Sequence, residues 1–215
     1  RALNIGEEID VEVRKQNLIQ REIVLATSLI DMYAKCGVLG KAREVLELMP
    51  VRDVVSWTAL IAGYAEQGYP EEALNRFEEM RIQGICPNSV TYIFSLKACT
   101  SLGAMEKGQE IHGEVERFGL LENDLVGNAV VDMYAKCGAL RKAREVFNEI
   151  QTRDLVSWNA LITGYTQHGH NDSAMECFRE MVEKGICPNI VTFTCVLKVC
   201  GSIGSLEVGK EIHKT

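Results

Sequence analysis

The residues best suited to chemistry in this sequence are its histidines and cysteines. His112 and Glu114 match the H-x-E half of the zinc deaminase signature, in which zinc-bound water attacks a base and the glutamate transfers protons. The P-C-x-x-C motif that completes this signature does not occur in the sequence. His168 and His170 lie in a predicted turn and have no third metal ligand beside them. We therefore predict no enzyme activity, no metal site and no cofactor.

The eight cysteines follow a repeating pattern instead of a metal-binding one. No two of them form a C-x-x-C pair. Six occupy matching places 101 residues apart, as Cys36 and Cys137, Cys86 and Cys187, and Cys99 and Cys200. This placement favours small, buried packing residues that stay reduced, and a metal or redox role is the less favoured alternative.

The same offset of 101 residues relates much of the sequence to itself. Further segments that recur are Met32–Gly37 with Met133–Gly138, Ser56–Trp57 with Ser157–Trp158, Leu96–Lys97 with Leu197–Lys198, and Glu110–His112 with Glu211–His213. Because independent matches share one offset, the chain is built from repeats. Shorter repeats divide this period, with boundaries at 1–22 (partial), 23–53, 54–88, 89–123, 124–154, 155–189 and 190–215 (partial).

Each short repeat has the pattern of two helices joined by a turn. Ala73, Leu74 and Phe77 begin an apolar stripe at helical spacing, and Gly84 ends the helix that carries it. No sustained period-two alternation predicts strands, so we expect an all-α chain. One helix pair cannot bury its stripe alone, and stacked pairs would share a continuous core. The predicted fold is therefore an α-solenoid superhelix of stacked helix-turn-helix repeats.

Aromatic residues recur near the start of the first helix of several repeats. They are Trp57, Tyr92, Trp158 and Phe193. An aromatic that repeats in register is typical of a core position, so we predict that these residues are buried. No apolar run approaches the ~18 residues that a membrane span needs, and we expect no membrane partner.

The three repeat types, of 31, 35 and 35 residues, resemble the S, P and L motifs of the pentatricopeptide repeat family in its P-L-S subclass. The signatures are Val54–Ile61 with Ala73, Phe77, Met80 and Pro87 for a P motif, Met133–Gly138 with Ala143–Phe147 for an S motif, and Leu96–Cys99 with Gly108 and His112 for an L motif. The resemblance covers essentially the whole chain. A tetratricopeptide array would instead show a steady period of about 34 residues.

This resemblance implies S repeats at 23–53 and 124–154, P repeats at 54–88 and 155–189, an L repeat at 89–123, and partial L-type repeats at 1–22 and 190–215. Members of the family bind single-stranded RNA with one nucleotide per repeat. They read each base with the fifth residue of the first helix and the last residue of the repeat. The implied reader pairs are Thr27 with Asp53, Thr58 with Asn88, Ile93 with Asn123, Asn128 with Asp154, and Asn159 with Asn189, followed by an unpaired Thr194.

The resemblance also implies residues that clamp the faces of the bases, at the second position of each repeat. They are Val24, Val55, Val90, Leu125, Val156 and Val191. By the family's code, the reader pairs predict the site 5′-G-A-N-U-Y-3′, where Y is a pyrimidine. The third base stays unassigned because Ile93 has no hydrogen-bonding group.

Two observations favour other interpretations of these residues. Thr, Asn and Asp at helix starts are ordinary caps, so each reader has a structural alternative. The net charge of −7 opposes binding to RNA, because phosphate contacts usually supply much of the affinity. Lys35 and Lys136 stand where the family commonly has a phosphate-facing lysine, whereas Glu66 and Gln167 stand there in the P repeats. A scaffold for protein–protein interaction is therefore the alternative function, and Ile93 supports it.

The family context implies where such a protein works. Members of the P-L-S subclass are mostly recognition factors for C-to-U editing of organellar transcripts in land plants, which implies a mitochondrion or chloroplast and small accessory editing proteins as partners. The chain begins at Arg1 and stops inside a repeat, so we expect a fragment. Self-association through apolar ends, at Leu197 and Ile212, is a further expectation.

Overall fold

The computed structural model describes residues 2–204, which form twelve α-helices, two short 3₁₀ helices and no strand. The α-helices are α1 (Ala2–Lys15), α2 (Ile23–Lys35), α3 (Leu39–Leu48), α4 (Val54–Glu66), α5 (Pro70–Ile82), α6 (Ser89–Leu102), α7 (Met105–Arg117), α8 (Asp124–Lys136), α9 (Leu140–Glu149), α10 (Leu155–Gln167), α11 (Asn171–Glu183) and α12 (Ile190–Ile203). The 3₁₀ helices are Leu18–Gln20 and Leu120–Glu122. The predicted all-α class is confirmed. None of the helices within residues 2–204 is both long and apolar enough to cross a membrane.

The chain divides into two compact bodies, Arg1–Leu102 and Gly103–Thr215. In the first body α2 packs on α3 and α4, and α4 packs on α5 and α6. In the second body α8 packs on α9 and α10, and α10 packs on α11 and α12. Each body is thus a stack in which the first helix of a repeat contacts both its own second helix and the first helix of the next repeat. This is the helix-pair stacking that the repeat pattern predicts.

Glycines turn the chain between the two helices of the 31-residue repeats. Gly37 follows α2 with a φ of 75°, and Gly138 follows α8 with a φ of 82°. The left-handed region is readily open to glycine and closed to most other residues, which explains the glycine at this place in both repeats.

The aromatic residues predicted for the core are largely buried. Trp57, Tyr92 and Trp158 are almost fully buried, whereas Phe193 is half-buried on α12. The Trp158 ring packs edge-on against Phe147, with 4.6 Å between ring centroids. The indole therefore anchors α10 against α9 within the second body, as a core residue and not as a ligand contact.

First helices of successive repeats approach each other closely through small residues. A Cβ atom built on Gly63 would lie 2.5 Å from the Cβ of Ala34, and one built on Gly164 would lie 2.6 Å from the Cβ of Ala135. The α2–α4 and α8–α10 contacts therefore depend on glycine.

The prediction of buried cysteines is right for some positions and wrong for others. Cys99 and Cys200 are buried within α6 and α12. Cys36, Cys86 and Cys187 are exposed, so the prediction is wrong for them. The reason is local: Cys36 ends α2, and Cys86 and Cys187 lie in the connections before α6 and α12, where the chain runs over the surface.

Candidate nucleic-acid interface

The last residue of each complete repeat caps the first helix of the next repeat. The side-chain oxygen of each of these residues accepts a hydrogen bond from a backbone N–H of that helix. The five residues are Asp53, Asn88, Asn123, Asp154 and Asn189. The capping role considered from the sequence is therefore present at all five positions. A cap bond also orients the side chain, since the bound oxygen must face the N-terminus of the helix. Capping and ligand contact are compatible, because a carboxylate or amide keeps further hydrogen-bonding capacity.

Two predicted reader pairs are joined directly. Asn128 donates from Nδ2 to both carboxylate oxygens of Asp154, at 3.1 and 3.2 Å. Asn159 donates from Nδ2 to Oδ1 of Asn189 at 3.1 Å. The partners come from the starts of α8 and α10 and of α10 and α12, so stacking of first helices brings them together. Each pair is a small polar cluster whose donor and acceptor positions are set by the packing.

A third pair is joined through another residue. Oγ1 of Thr58 lies 2.7 Å from Oγ1 of Thr91, and that hydroxyl lies 3.0 Å from Oδ1 of Asn88. Thr58 also donates to the carbonyl oxygen of Val54 at 2.6 Å, as a threonine in the first turn of a helix can. Thr91 therefore belongs to the same cluster as the predicted readers Thr58 and Asn88.

The remaining predicted readers form no hydrogen-bonded pair within either body. Oγ1 of Thr27 is buried and has no hydrogen-bond partner among the described residues, so Thr27 does not contact Asp53 in this way. Ile93 is half-buried on α6 of the first body, and Asn123 belongs to the second body. Thr194 is exposed and donates to the carbonyl oxygen of Ile190.

Sequence reasoning missed two residues of these clusters, Thr91 and Thr192. Both are fully buried, and both are the third residue of the first helix after a 35-residue repeat. The Thr192 hydroxyl donates to Oδ1 of Asn159 at 2.6 Å. The available signal was the residue type: threonine stands at this position after the repeats 54–88 and 155–189, and serine stands there after the 31-residue repeats.

The predicted base-clamping residues form a recurring set of exposed apolar side chains. All six are exposed, from 45% for Val191 to 80% for Val24, and the others are Val55, Val90, Leu125 and Val156. Each lies at a helix start, one or two residues before a buried residue. One exposed hydrophobic residue needs no explanation, but the same exposure at one register in six repeats indicates an apolar contact surface.

The predicted phosphate-contacting lysines are exposed and are each paired with a carboxylate one turn earlier. Lys35 lies 2.7 Å from Asp31 on α2, and Lys136 lies 2.9 Å from Asp132 on α8. The hydrogen bond to Asp31 raises the pKa of Lys35. A phosphate would have to compete with a neighbouring carboxylate for each of these lysines.

Acidic residues concentrated on α5 are engaged in ion pairs along that helix. Glu72 and Glu79 pair with Arg76, and Glu78 pairs with Arg81 at 3.0 Å. Since α5 is the second helix of its repeat, these charges lie on a different element from the predicted readers. The net negative charge of the chain is therefore not a measure of the charge beside Thr58.

His112 lies buried in α7 and contacts α8. Its Nδ1 atom lies 3.1 Å from the Tyr134 hydroxyl, and its Nε2 atom lies 3.5 Å from Glu116. Burial lowers the pKa of His112, and the nearby carboxylates of Glu116 and Glu149 oppose that effect. Among residues 2–204, no group of three or more His, Cys, Asp or Glu side chains could hold a metal ion. His112 is a helix-packing residue of the second body.

Comparison with known families and proteins identifies the architecture. Residues 52–101 and 153–202 match the model of the PPR repeat family, and residues 24–54 and 128–155 match that of the PPR repeat. The chain belongs to the pentatricopeptide repeat (PPR) family.

Similar proteins from Arabidopsis thaliana bear names of the same kind. One chloroplastic pentatricopeptide repeat-containing protein is 37% identical over 99% of this chain and 34% of its own length. The pentatricopeptide repeat-containing protein CRR2, chloroplastic, is 42% identical over 98% of this chain and 32% of its own length. A mitochondrial relative is 39% identical over 87% of this chain and 30% of its own length. The chain thus spans about a third of the length of these relatives.

Solved structures with the same fold are also pentatricopeptide repeat proteins. PPR10 in complex with an 18-nucleotide psaJ RNA element aligns with a TM-score of 0.69 and 19% identity, over 91% of this chain and 30% of PPR10. The PPR domain of Arabidopsis thaliana protein-only RNase P 1, in complex with tRNA, aligns with a TM-score of 0.62 and 14% identity, over 82% of this chain and 97% of that domain. At these identities the likeness establishes the fold.

Proposed function

We propose that this chain binds single-stranded RNA in a sequence-specific way, with one base opposite each reader pair. The observation that carries the proposal is the pairing of fifth and last residues across helix stacks, as in Asn128 with Asp154 and Asn159 with Asn189. These polar clusters stand beside the exposed apolar second-position residues, such as Val156 at 58% exposure. A nucleobase needs both kinds of contact, because its edge is polar and its faces are apolar.

The last residue of a repeat supports discrimination between classes of base edge. Asp154 offers only acceptors, so it suits a base that presents an N–H group, such as N3–H of uracil. Asn189 uses its oxygen to cap α12, which leaves its amide nitrogen to donate to a base acceptor. The two neighbouring repeats therefore favour different base edges. This chemistry agrees with the proposed site 5′-G-A-N-U-Y-3′.

The exposed second-position residues support stacking of a base between adjacent repeats. Val55, Leu125 and Val156 are each more than half exposed. Covering a branched apolar side chain with the face of a base removes apolar surface from water, at roughly 25 cal/mol per Å². Because every base has an apolar face, this contact contributes affinity without sequence preference.

Phosphate contacts in this proposal come from Lys35 and Lys136. Each must exchange its carboxylate partner for a phosphate, so the net electrostatic gain is small. We expect the affinity to fall only gradually with salt, with a slope of about −0.7 for each phosphate contact. Weak binding by the five complete repeats is the expected result.

The proteins similar to this chain support the proposal and extend it. One structural neighbour was solved with an RNA element and another with tRNA, and several relatives are named as chloroplastic or mitochondrial. We propose that the chain belongs to an organellar protein of the P-L-S subclass. Its repeats would supply the recognition step of C-to-U RNA editing or RNA processing, without a catalytic residue of their own.

The test is binding to short RNAs at low salt, with all four bases compared at the position read by Asn128 and Asp154. Uracil should bind about fivefold to tenfold more tightly than the other bases, the value of roughly one hydrogen bond. The double variant Asn128→Thr with Asp154→Asn should shift the preference to adenine, with Glu145→Gln on α9 as the charge control. Equal binding of all four bases by the parent chain would contradict sequence-specific recognition.

A protein-docking scaffold is the second candidate, supported by the net charge of −7 and by Ile93 at a reader position. Leu197 is exposed on α12, so self-association at this end is part of the same candidate, while Ile212 lies outside the described residues. Sedimentation over a range of concentrations tests self-association. Binding of small accessory editing proteins that is lost in Ile93→Asp, with RNA binding absent, would favour docking.

A further inference from the structure

Two fully buried threonine hydroxyls contact the predicted reader residues of the 35-residue repeats 54–88 and 155–189. Thr91 is the third residue of α6, and Thr192 is the third residue of α12. Each belongs to the repeat that follows the reader it touches. The Thr192 hydroxyl lies 2.6 Å from Oδ1 of Asn159, and the Thr91 hydroxyl lies 2.7 Å from Oγ1 of Thr58.

The hydrogen-bond directions around Thr192 are determined by the helix cap. Oδ1 of Asn189 accepts the backbone N–H groups of Val191 and Thr192, at 3.0 and 3.1 Å, so this oxygen must face the start of α12. The atom of Asn159 that faces it at 3.1 Å must be the donor, Nδ2. Oδ1 of Asn159 is therefore the atom that meets the Thr192 hydroxyl.

Thr192 donates to Asn159 because the facing atom, Oδ1 of Asn159, carries no hydrogen and can only accept. The backbone N–H of Asn189 donates to Oγ1 of Thr192 at 3.1 Å. Oδ1 of Asn159, at 2.6 Å, lies closer to this hydroxyl than its second acceptor, Oδ1 of Asn189 at 3.2 Å, and so takes the single hydroxyl proton. Both ends of the Asn159 amide are thereby held, the nitrogen by Asn189 and the oxygen by Thr192, and one amide N–H remains for a ligand.

The same arrangement recurs in the first body. Thr58 gives its only hydroxyl proton to the Val54 carbonyl oxygen, so its own oxygen is the acceptor in the contact with Thr91. The backbone N–H of Asn88 donates to Oγ1 of Thr91 at 3.2 Å, as in the Thr192 cluster. Thr91 thus contacts a threonine at the reader position as Thr192 contacts an asparagine, with Oδ1 of Asn88 as a second acceptor 3.0 Å from the Thr91 hydroxyl.

The 31-residue repeats lack this device. They are followed by Ser56 and Ser157, whose hydroxyls donate to the carbonyl oxygens of Asp53 and Asp154, each at 2.9 Å. The reader atoms that the threonines would satisfy, Oγ1 of Thr27 and Oδ1 of Asn128, are buried without a hydrogen-bond partner among the described residues. An unpaired buried polar atom is unfavourable and leaves its side chain less restrained. Whether the fifth residue of a repeat has this hydrogen-bond partner therefore depends on whether the third residue of the next first helix is threonine or serine.

We propose that Thr91 and Thr192 are positioning residues that set base preference in the preceding repeat, by holding its fifth residue in one hydrogen-bonding arrangement. This inference rests on the proposed RNA-binding function. It means that reading of a base in the repeats 54–88 and 155–189 depends on three residues, one of them a buried threonine of the next repeat that does not itself contact the base. In the 31-residue repeats it depends on two residues, and no threonine hydroxyl restrains the fifth residue.

The test compares Thr192→Val, which removes the hydroxyl at nearly constant volume, with Ser157→Ala, which removes a hydroxyl at the same register. Thr192→Ser keeps the hydroxyl and serves as the rescue variant. For each full chain, affinities are measured for RNAs with all four bases at the position read by Asn159. We expect Thr192→Val to lose about fivefold to tenfold of its discrimination, and Thr192→Ser and Ser157→Ala to retain it.

A second readout needs no RNA. The ¹⁵N relaxation of the Asn159 side-chain amide should show an ordered group in the parent chain and in Thr192→Ser, and a mobile one in Thr192→Val. The Asn128 amide, which donates to Asp154, should be unchanged by either Thr192 substitution. Discrimination by the parent chain that persists unchanged in Thr192→Val would overturn this inference and leave RNA reading intact. If the parent chain binds all four bases equally, both the proposed base reading and this inference are overturned. If the Asn159 amide is equally mobile in the parent chain and in Thr192→Val, the positioning role is overturned.

Discussion

The contact that joins α1 to α2 in the first body corresponds to the contact that joins α7 to α8 in the second, but the two differ in chemistry. Tyr33 donates to the buried carboxylate of Asp10 at 2.8 Å, and Arg14 pairs with the same carboxylate. Tyr134 meets the ring nitrogen of His112 instead, at 3.1 Å. The tyrosine and its position are the same in both bodies, but its partner is the Asp10 carboxylate in the first body and the His112 imidazole in the second. Corresponding substitutions in the two bodies should therefore have unequal effects.

The largest difference is expected from the two tyrosines. Tyr33→Phe removes a donor from a buried carboxylate and should lower the free energy of unfolding by about 1.5–3 kcal/mol. Tyr134→Phe removes a bond to a neutral ring and should cost about 0.5–1.5 kcal/mol. Burial and then the direct hydrogen bond to Asp10 raise the pKa of Tyr33, in keeping with this order. Urea unfolding of both variants measures the difference, and equal losses would show that the carboxylate gives no added stability.

The glycine contacts between first helices give a second comparison. Gly164→Ala would place its Cβ 3.1 Å from the backbone of Ala135 as well as against its Cβ, whereas the nearest backbone atom to Gly63 is at 3.4 Å. After the gain from replacing glycine in a helix, Gly164→Ala should destabilise by about 1–2 kcal/mol and Gly63→Ala by less.

Gly113 supplies the control for that comparison, because no atom lies within 4 Å of a Cβ built there. Gly113→Ala should stabilise the chain by about 0.5–1 kcal/mol. Thermal unfolding of the three variants orders them. A Gly164→Ala variant as stable as the parent would mean that α8 and α10 can separate at little cost.

The pH dependence of the free energy of unfolding tests His112, the partner of Tyr134 in the second body. Burial lowers the pKa of His112, with Lys142 acting in the same direction and Glu116 and Glu149 against it. The folded state therefore favours the neutral ring, so this stability is fully present above the ordinary pKa of about 6.5 and is lost as the pH falls below it. Unfolding measured between about pH 5 and pH 7.5 should show this loss, and His112→Asn should reduce it. A parent chain that gained stability from His112 on acidification would contradict the assignment.

The smallest effect is expected from the aspartates beside the exposed lysines. Asp132→Asn frees the more enclosed lysine, Lys136, and should increase affinity for RNA about twofold to threefold at low salt, a surface ion-pair effect. Asp31→Asn should act in the same direction on Lys35. Binding titrations at two salt concentrations measure both. An unchanged affinity with an unchanged salt slope would show that these lysines do not contact phosphate.

Much of the fold follows from local patterns that can be read directly. Apolar residues at helical spacing, such as Ala73 and Phe77, fall on a buried face of α5. The residue types at repeat ends, such as Asp53 and Asn189, predict helix caps, which the structure confirms. The boundaries of the repeats and the base-reading roles remain predictions. Exposure of Cys36 was not predicted, because a recurring cysteine in a helical pattern gives no sign of whether it lies inside the helix or at its end.

Helices, caps and the register of polar and apolar residues can be predicted from the amino-acid pattern, because they depend on residues close together in the chain. Which polar atoms meet depends on the packing of helices that are distant in the chain. Asn159 and Thr192 are 33 residues apart, and only the packing of α10 on α12 brings their side chains to 2.6 Å. Whether a hydroxyl turns to a reader, as in Thr192, or back to its own backbone, as in Ser157, depends on rotamer and neighbouring helix together. Residue types at one position could not reveal that choice.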